Sequence, residues 1–322
     1  MSEVAPGLVT VFGGSGFVGS QVVQALARRG WRIRVAVRRP DLAFKVHTAG
    51  HVGQIYTKRC DATDPAQVAE ALQGADAAIN LIGVLYESGR NTFEAAHVQT
   101  ARNIAEACAA GGVDRLVHVS AIGANPESDS AYARTKAAAE MAVREVKPNA
   151  VIVRPSVVFG PGDDFLNRFA SMAGWAPALP LIGGGRTRFQ PVYVGDVAAA
   201  IATALSRTET DGRTFELGGP AVMTFEDILR LIMRETHRSR PLLPLPFFAA
   251  RMIGSAAQLT ALVGLKPMLT RDQVVLLETD NVVSPDAEGL AELGVEPTGV
   301  EAVAAAYLWR FRRGGQFAEA KA

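Results

Sequence analysis

The sequence predicts an α/β protein with a doubly wound parallel sheet, followed by a smaller, mostly helical C-terminal lobe. Short β-branched runs alternate with amphipathic segments of helical length through residues 1–155, which is the first observation behind this prediction. The second is a cluster of glycines directly after the first of these runs. Because strands joined by helices of this length pair in parallel through right-handed crossovers, helices are expected on both faces of one sheet.

The individual elements of the sheet follow from composition and periodicity. One helix is expected to begin after Asp64, which is suited to the N-cap, with Pro65 at the first helical position and Gln67 placed for a capping box. We predict strands over residues 8–12, 32–37, 54–60, 75–82, 115–120 and 150–154, and further helices over 20–29, 93–110 and 131–146.

Residues 156–322 have a looser pattern, with loops that contain glycine and proline. The lobe that they form is expected to be interleaved with the domain of residues 1–155, because a short strand over 214–217 should return to the sheet. Asp196 precedes an apolar run and is predicted to be an N-cap. We predict helices in this region over residues 196–205 and 225–235.

Residues 13–19 read Gly-Gly-Ser-Gly-Phe-Val-Gly and lie where the first strand turns into the first helix. In such a turn the first glycine allows the reversal, the second lets the backbone approach a pyrophosphate, and the third lets the helix pack close to the strand. The helix N-terminus then offers unpaired N–H groups and a partial positive charge to the phosphates. We therefore predict a Rossmann dinucleotide site with cofactor contacts from Gly13, Gly14, Ser15, Gly16, Phe17, Val18 and Gly19.

The second strand is followed by Arg38 and Arg39, where a protein selective for NAD carries an acid for the ribose 2′-hydroxyl. A guanidinium at this point can bind a 2′-phosphate, although a solvated basic loop explains the same residues. We predict NADP(H) as the cofactor, and Asp41 keeps NAD(H) as the alternative. Asp61, which closes the third strand, either accepts a hydrogen bond from the adenine amine or is a polar turn residue.

Tyr132 and Lys136 are four residues apart in a predicted helix, so that both side chains lie on one face. A nearby ammonium lowers the pKa of a phenol, which lets the tyrosine exchange a proton with a substrate oxygen while the lysine holds the nicotinamide ribose. The same spacing also occurs by chance in many helices. Its position behind the glycine turn and after the fifth strand favours a pair that faces the cofactor.

The chain resembles the extended and atypical short-chain dehydrogenase/reductases over nearly its whole length, on the glycine turn, Asp61, the Tyr132/Lys136 pair and residues 154–163 and 191–198. It also resembles the NADPH-binding accessory subunit of respiratory complex I and its bacterial relatives, at residues 80–83, 118–120, 125, 155–156 and 164–172. This resemblance implies a bound NADPH, a role in assembling or stabilising a membrane-attached enzyme, and proximity to quinone chemistry. It places four further residues at the cofactor: Leu81, Ile82, Gly83 and Pro155.

One position departs from the pattern of active extended members, which usually carry a serine or threonine two residues after the serine that ends the strand. Counting from Ser120, that position is Ile122, whose side chain cannot donate a hydrogen bond. The expected catalytic relay of Ser120, Tyr132 and Lys136 is complete only if Ser120 itself reaches the substrate oxygen. Its hydroxyl is as easily explained by a hydrogen bond to the backbone at the strand end.

Two functions from different classes remain open. The first is a non-catalytic NADPH-binding subunit or assembly factor of respiratory complex I or of another membrane-attached, quinone-related complex. The second is an NADP-dependent oxidoreductase or epimerase that acts on a small molecule, such as a quinone or isoprenoid precursor or a nucleotide sugar. Because Ile122 leaves the relay incomplete, we favour binding over turnover.

Composition argues against some classes of function. With 33 basic and 32 acidic side chains the formal net charge is +1, which predicts no nucleic-acid partner. Cys60 and Cys108 have no metal-ligand spacing and are expected to be buried apolar residues in a reducing compartment. Since the first residues show no basic region followed by an apolar stretch, we expect a cytoplasmic protein, or one held peripherally on the cytoplasmic face of the inner membrane.

An apolar segment interrupted by prolines covers residues 241–269. Its prolines and Arg251 argue against a membrane span. We expect either a helical lid packed on the substrate side of the sheet or a docking surface for a protein or membrane partner. Arg186 and Arg188, in a loop before this segment, are either ligand contacts or solvated residues. The apolar surface of the segment comes from Phe247, Phe248, Met252, Ile253, Leu259, Leu262, Val263 and Leu265.

Overall fold

A computed structural model of the protein describes residues 4–258, 267 and 269–315. Its α-helices are α1 (Phe17–Arg28), α2 (Pro65–Leu72), α3 (Thr100–Ala110), α4 (Ala131–Val146), α5 (Phe165–Trp175), α6 (Val194–Ser206), α7 (Phe225–Glu235), α8 (Phe247–Gln258), α9 (Arg271–Leu276) and α10 (Val300–Leu308). Its strands are β1 (Leu8–Phe12), β2 (Arg32–Val37), β3 (Ile55–Arg59), β4 (Ala77–Asn80), β5 (Arg115–Val119), β6 (Val151–Pro155), β7 (Val158–Phe159), β8 (Leu179–Ile182), β9 (Arg188–Phe189), β10 (Val192–Tyr193), β11 (Thr214–Leu217), β12 (Met223–Thr224) and β13 (Leu242–Leu245).

The described residues divide into two compact units. The first unit draws on Met1–Pro155, Gly195–Leu217 and Pro285–Glu296, and the second on Ser156–Val194, Gly218–Ser284 and Pro297–Ala322.

The first unit is built on a seven-stranded parallel sheet in the order β11-β6-β5-β4-β1-β2-β3. Strands β1 and β4 are buried along their whole length, as expected where helices cover both faces of a parallel sheet. On one face, Phe12 and Ile152 of the sheet share a core with Ile104 of α3 and Val143 of α4. This doubly wound arrangement confirms the predicted fold class.

The predicted strands of residues 1–155 agree with the observed ones to within two residues at each end. The first helix begins earlier than expected, at Phe17, because Gly16 already forms its N-cap. The helix predicted over 93–110 is a π-helical segment, Glu94–Gln99, followed by α3. A π-helical turn inside an otherwise regular helix is a frequent sign of a functional position.

Two predictions about helix N-termini are corrected by the structure. Asp64 caps α2 through bonds from the N–H groups of Ala66 and Gln67, but Gln67 does not complete a capping box. Its Nε2 donates to Asp64 Oδ2 at 2.7 Å, and its Oε1 accepts from the N–H of Asp61 at 3.0 Å. Asp196 is not an N-cap, because α6 begins at Val194 and the carboxylate falls in its first turn, where it still favours the helix dipole.

The second unit combines α5, α7, α8, α9 and α10 with three two-stranded sheets, β7–β10, β8–β13 and β9–β12. Phe165, Phe169, Phe189 and Phe225 meet in its core with ring centroids 5.2–6.4 Å apart.

Helix α10 is tied to the start of α5 by a buried polar contact. The hydroxyl of Tyr307 donates to Asp163 Oδ2 at 2.8 Å, and burial raises the pKa of this carboxyl. Within the described residues, no helix has both the length and the apolar character that crossing a membrane requires.

Candidate functional site

The glycine turn between β1 and α1 leaves no room for side chains at two of its positions. A Cβ at Gly19 would lie 2.3 Å from the carbonyl oxygen of Gly13 and 2.7 Å from Gly14 Cα, so helix and turn are in direct backbone contact. Gly13 has φ +76°, which favours glycine, and the backbone of Leu81 lies 3.1 Å from its would-be Cβ. The turn is thus pressed against the segment that follows β4.

The open side of this turn is the N-terminus of α1. Gly16 caps the helix without a side-chain bond, and the first turn carries no acidic residue. Ser15 and Gly16 are exposed, while Phe17 and Val18 are half-buried. The first N–H groups of a helix lack intrahelical partners and carry a partial positive charge, so this end can accept an anion such as a pyrophosphate.

A cavity of about 390 Å³ lies at the carboxyl ends of β2 and β3 and is lined by Arg38, Arg59, Asp61 and Gln67. Arg38 Nη1 donates to Asn91 Oδ1 at 2.6 Å. Among the described residues, no carboxylate forms an ion pair with Arg38 or Arg59. Because both guanidiniums lack an ion-pair partner among the described residues, although Asp61 also lines the cavity, this cavity is suited to a phosphate group.

Three residues of this region differ in how they relate to the cavity. Arg39 is exposed, lies outside the cavity lining and precedes a short 3-10 turn, Pro40–Leu42. Asp61 lines the cavity, and its Oδ1 accepts from the N–H of Thr63 at 3.1 Å and from the Thr63 hydroxyl at 2.8 Å. Arg59 was missed, although its position beside Asp61 at the end of β3 was the available signal.

Tyr132 and Lys136 project from the first half of α4. Lys136 is 4% exposed, its Nζ donates to the carbonyl of Val119 at 2.7 Å, and burial lowers its pKa to about 8. The ring of Tyr132 is half-buried and meets His97 edge-on at 5.3 Å between ring centroids. A buried lysine whose pKa is lowered toward the physiological range, four residues from a tyrosine on one helix, is a common feature of sites that bind or transfer protons.

His97 was also missed, because its partners are 13 and 38 residues away in sequence and leave no local pattern. The imidazole is 1% exposed and lies in the π-helical segment before α3. Its Nε2 accepts from the N–H of Val84 at 3.1 Å, and its Nδ1 lies 2.9 Å from Thr135 Oγ1.

The carboxyl end of β5 holds two buried side-chain atoms that have no hydrogen-bond partner among the described residues, His118 Nε2 and Ser120 Oγ. The backbone bond that offered a structural explanation of Ser120 is therefore not formed. Asn80 Oδ1 accepts from the N–H of Ile82 at 3.0 Å, which turns Asn80 Nδ2 toward His118 Nδ1 at 3.1 Å. Because Nδ1 accepts there, the proton of neutral His118 sits on the unpartnered Nε2.

The segment that follows β4 lies beside His97 and Lys136, and the end of β6 is bonded to the segment that follows β5. Gly83 is exposed, and a Cβ on it would lie 3.8 Å from His97 Nε2 and 4.0 Å from Lys136 Nζ. Pro155 ends β6, and its carbonyl accepts from the N–H of Ile122 at 3.0 Å. The Ile122 side chain is 8% exposed, so a buried apolar group occupies the position of the usual hydroxyl.

The second unit contains the loop with Arg186 and Arg188 and the described part of the apolar segment 241–269. Arg188 pairs with Asp280 at 2.7 Å, whereas Arg186 is exposed. Phe247 is partly buried in the core of the unit, against Gly183, while Phe248 is 69% exposed. Residues Leu259, Leu262, Val263 and Leu265 lie outside the described residues.

Comparisons with known proteins agree with this geometry. The model of the NAD dependent epimerase/dehydratase family matches residues 9–218. The mitochondrial NADH dehydrogenase (ubiquinone) 1 alpha subcomplex subunit 9 of Rattus norvegicus is 37% identical over 314 residues, which cover 97% of this chain and 82% of the relative.

Two further proteins show the breadth of these similarities. The ceramide reductase of Caulobacter vibrioides is 34% identical over 212 residues, or 66% of this chain and 65% of the relative. The structure of an NADPH-dependent quinone oxidoreductase from Escherichia coli, solved with NADPH, superimposes with a TM-score of 0.72 at 18% identity. It covers 94% of this chain and 99% of the oxidoreductase, and at this identity it shows a shared fold.

Proposed function

Because this chain belongs to the NAD dependent epimerase/dehydratase family, we propose that it is an NADP(H)-binding protein that serves respiratory complex I as a structural or assembly subunit. Its fold is NAD(P)-binding, and the chain is homologous to the alpha subcomplex subunit 9 proteins of rat and plant mitochondria. The observation that carries the proposal is a contrast within the first unit. The geometry suits a dinucleotide, whereas Ile122 stands where turnover would need a hydroxyl donor.

The preference for NADP(H) is supported by the cavity that Arg38 and Arg59 share. A 2′-phosphate would give both guanidiniums an ion-pair partner, which neither has among the described residues. The N-terminus of α1 would hold the pyrophosphate, and Lys136 with Tyr132 would hold the nicotinamide ribose. Bound NADPH supplies a hydride wherever an acceptor reaches it.

A role at complex I is supported by the relatives and by one surface of the second unit. On α8, Phe248, Met252 and Ile253 are 69%, 70% and 52% exposed; Phe248 and Met252 lie about one helical turn apart, and Ile253 follows Met252 directly. Contiguous exposed apolar side chains of this kind mark sites of protein or membrane contact. We place the chain on the cytoplasmic face of the inner membrane, held peripherally by such a contact.

Recovery of the full chain from membranes in mild detergent tests this proposal. We expect mass spectrometry to identify complex I subunits with it and nucleotide extraction to release NADP(H). The variant Met252→Ser should lower the recovery of these partners. Met141→Ser is the matched control, because Met141 is 57% exposed on α4 of the first unit. A native protein that is wholly free and monomeric after gentle lysis contradicts the proposal.

The alternative is an NADP-dependent oxidoreductase or epimerase for a small molecule, and the Ser120 hydroxyl favours it. This group is buried and has no partner among the described residues, so it is available to a substrate oxygen. The similarity to a ceramide reductase points the same way. NADPH oxidation by the wild type with a carbonyl substrate, abolished by both Ser120→Ala and Tyr132→Phe, would replace the first proposal with this one.

A further inference from the structure

His97 joins three parts of the candidate site although no comparison or motif assigns it a role. Its ring lies edge-on to Tyr132, with 5.3 Å between centroids and 89° between planes, and stacks on Phe93 at 5.4 Å. Phe93 also meets Tyr132 edge-on at 5.9 Å. The tyrosine ring is therefore packed against two fixed aromatic groups.

The hydrogen bonds of His97 define its tautomer. The N–H of Val84 donates to Nε2 at 3.1 Å, so Nε2 carries the lone pair and Nδ1 carries the proton. Nδ1–H then donates to Thr135 Oγ1 at 2.9 Å. The Thr135 hydroxyl is left to donate to the carbonyls of Ala131 or Tyr132, at 2.9 and 3.0 Å.

Protonation of His97 would break this arrangement, because Nε2 could no longer accept from Val84. Burial and the nearby Lys136 ammonium together hold the pKa of His97 at about 3. The imidazole is therefore neutral throughout the physiological range, and its two polar contacts do not titrate there. It is a fixed connection between the segment after β4 and the first half of α4.

We propose that His97 is a positioning residue for Tyr132 and Lys136, which it holds at a fixed position relative to the Gly83–Val84 backbone. It acts through the Val84 amide on one side and through Thr135 and the tyrosine ring on the other. The proposal rests on the proposed function, in which Tyr132 and Lys136 hold the nicotinamide ribose. The adenine half of the cofactor lies at the Arg38–Arg59 cavity in that proposal, and His97 is not among the residues that line this cavity.

The alternative role is that of a core histidine whose loss disturbs the whole unit. Two ligands separate these roles: NADPH, and adenosine 2′,5′-bisphosphate, which keeps the adenine half and the 2′-phosphate but lacks the nicotinamide ribose. A general disturbance should weaken both. A positioning defect should weaken NADPH alone.

The experiment measures the affinity of the full chain for both ligands by calorimetry, with thermal unfolding recorded for every variant. His97→Leu removes both hydrogen bonds, His97→Asn keeps the donor toward Thr135, and His97→Gln keeps the acceptor for Val84. Thr135→Val removes the hydroxyl without touching the imidazole. His51→Asn, at an exposed histidine of the first unit, is the matched control.

We expect His97→Leu to weaken NADPH binding by about tenfold or more and to change binding of the bisphosphate by less than about twofold. His97→Asn and His97→Gln should each recover part of the loss, and Thr135→Val should reproduce part of it. Unchanged NADPH affinity in His97→Leu, or equal losses for both ligands in His97→Asn and Thr135→Val, overturns the positioning role. A wild type that binds neither ligand overturns the proposed function itself and the positioning role with it.

Discussion

Replacing Arg59 by alanine is expected to remove much of the preference for NADPH over NADH. Arg59 and Arg38 line one cavity of about 390 Å³, and neither has a carboxylate partner among the described residues. In the free protein, two like charges that line one cavity oppose each other, so we expect the removal of one not to lower stability. The loss should therefore appear in the complex with NADPH and not in the unfolding of the free protein.

The magnitude follows from what each arginine gives up. A hydrogen bond to a charged group contributes roughly 1.5–3 kcal/mol, and exposure of both guanidiniums favours the lower end. Arg38 must exchange its 2.6 Å bond to Asn91 Oδ1 for the phosphate, whereas no side-chain bond of Arg59 is made within the described residues. We expect Arg59→Ala to lose about tenfold in NADPH affinity and Arg38→Ala about threefold to tenfold.

Dissociation constants for NADPH and NADH, from nucleotide fluorescence at fixed ionic strength, test this reasoning. NADH binding should change by less than about twofold in each variant, because it carries no 2′-phosphate. Arg39→Ala is the matched control, an exposed neighbour of Arg38 outside the cavity lining. Equal wild-type affinities for the two nucleotides, or a preference lost in Arg39→Ala and kept in Arg59→Ala, would refute it.

Gly19→Ala should lose NADPH binding by more than about tenfold, since its Cβ would lie 2.3 Å from Gly13 O, whereas Gly174→Ala, with nothing within 4 Å, should bind normally by calorimetry. Tyr307→Phe should lower the free energy of urea unfolding by about 1–3 kcal/mol, because the buried Asp163 carboxylate loses a donor. Lys136 has its pKa lowered from 10.5 to about 8, so the unfolded state binds the extra proton between these pH values. The unfolding free energy of the wild type should therefore rise relative to Lys136→Met as pH increases from 8 to 10.5, and a falling or flat difference would contradict this.

Periodicity was sufficient to predict the sheet because its strands, apart from the edge strand β3, are mostly buried and read as short apolar runs. The pattern failed where one residue decides an element boundary. Val194 starts α6 directly after β10, which moves Asp196 from the N-cap into the first turn. The sequence also gave no sign that Phe247 packs against Gly183 while its neighbour Phe248 is exposed.

The site was predictable to the extent that its residues belong to local motifs. The glycine turn and the Tyr132/Lys136 pair each lie within one short segment. His97 was not predictable, because its contacts with Val84 and Thr135 depend on how β4, the π-helical segment and α4 come together. Predicting a role for Arg59 would have required knowing that the ends of β2 and β3 open into one cavity.

Binding and turnover require different things of this site. Some of its buried polar atoms have partners within the protein, and others have none among the described residues. Lys136 and His97 have partners that fix them without any ligand, which is what a binding role requires. Turnover requires, beside the Tyr132 hydroxyl, a second hydroxyl that approaches the substrate oxygen, and Ile122 cannot supply it. Ser120 has a buried hydroxyl without a partner in the described part of the chain. Leaving the hydrogen bond of such a group unmade costs about 1–3 kcal/mol. Replacing Ser120 by alanine should therefore be neutral or stabilising in the free protein, and any loss it causes must come from a ligand oxygen that the hydroxyl contacts.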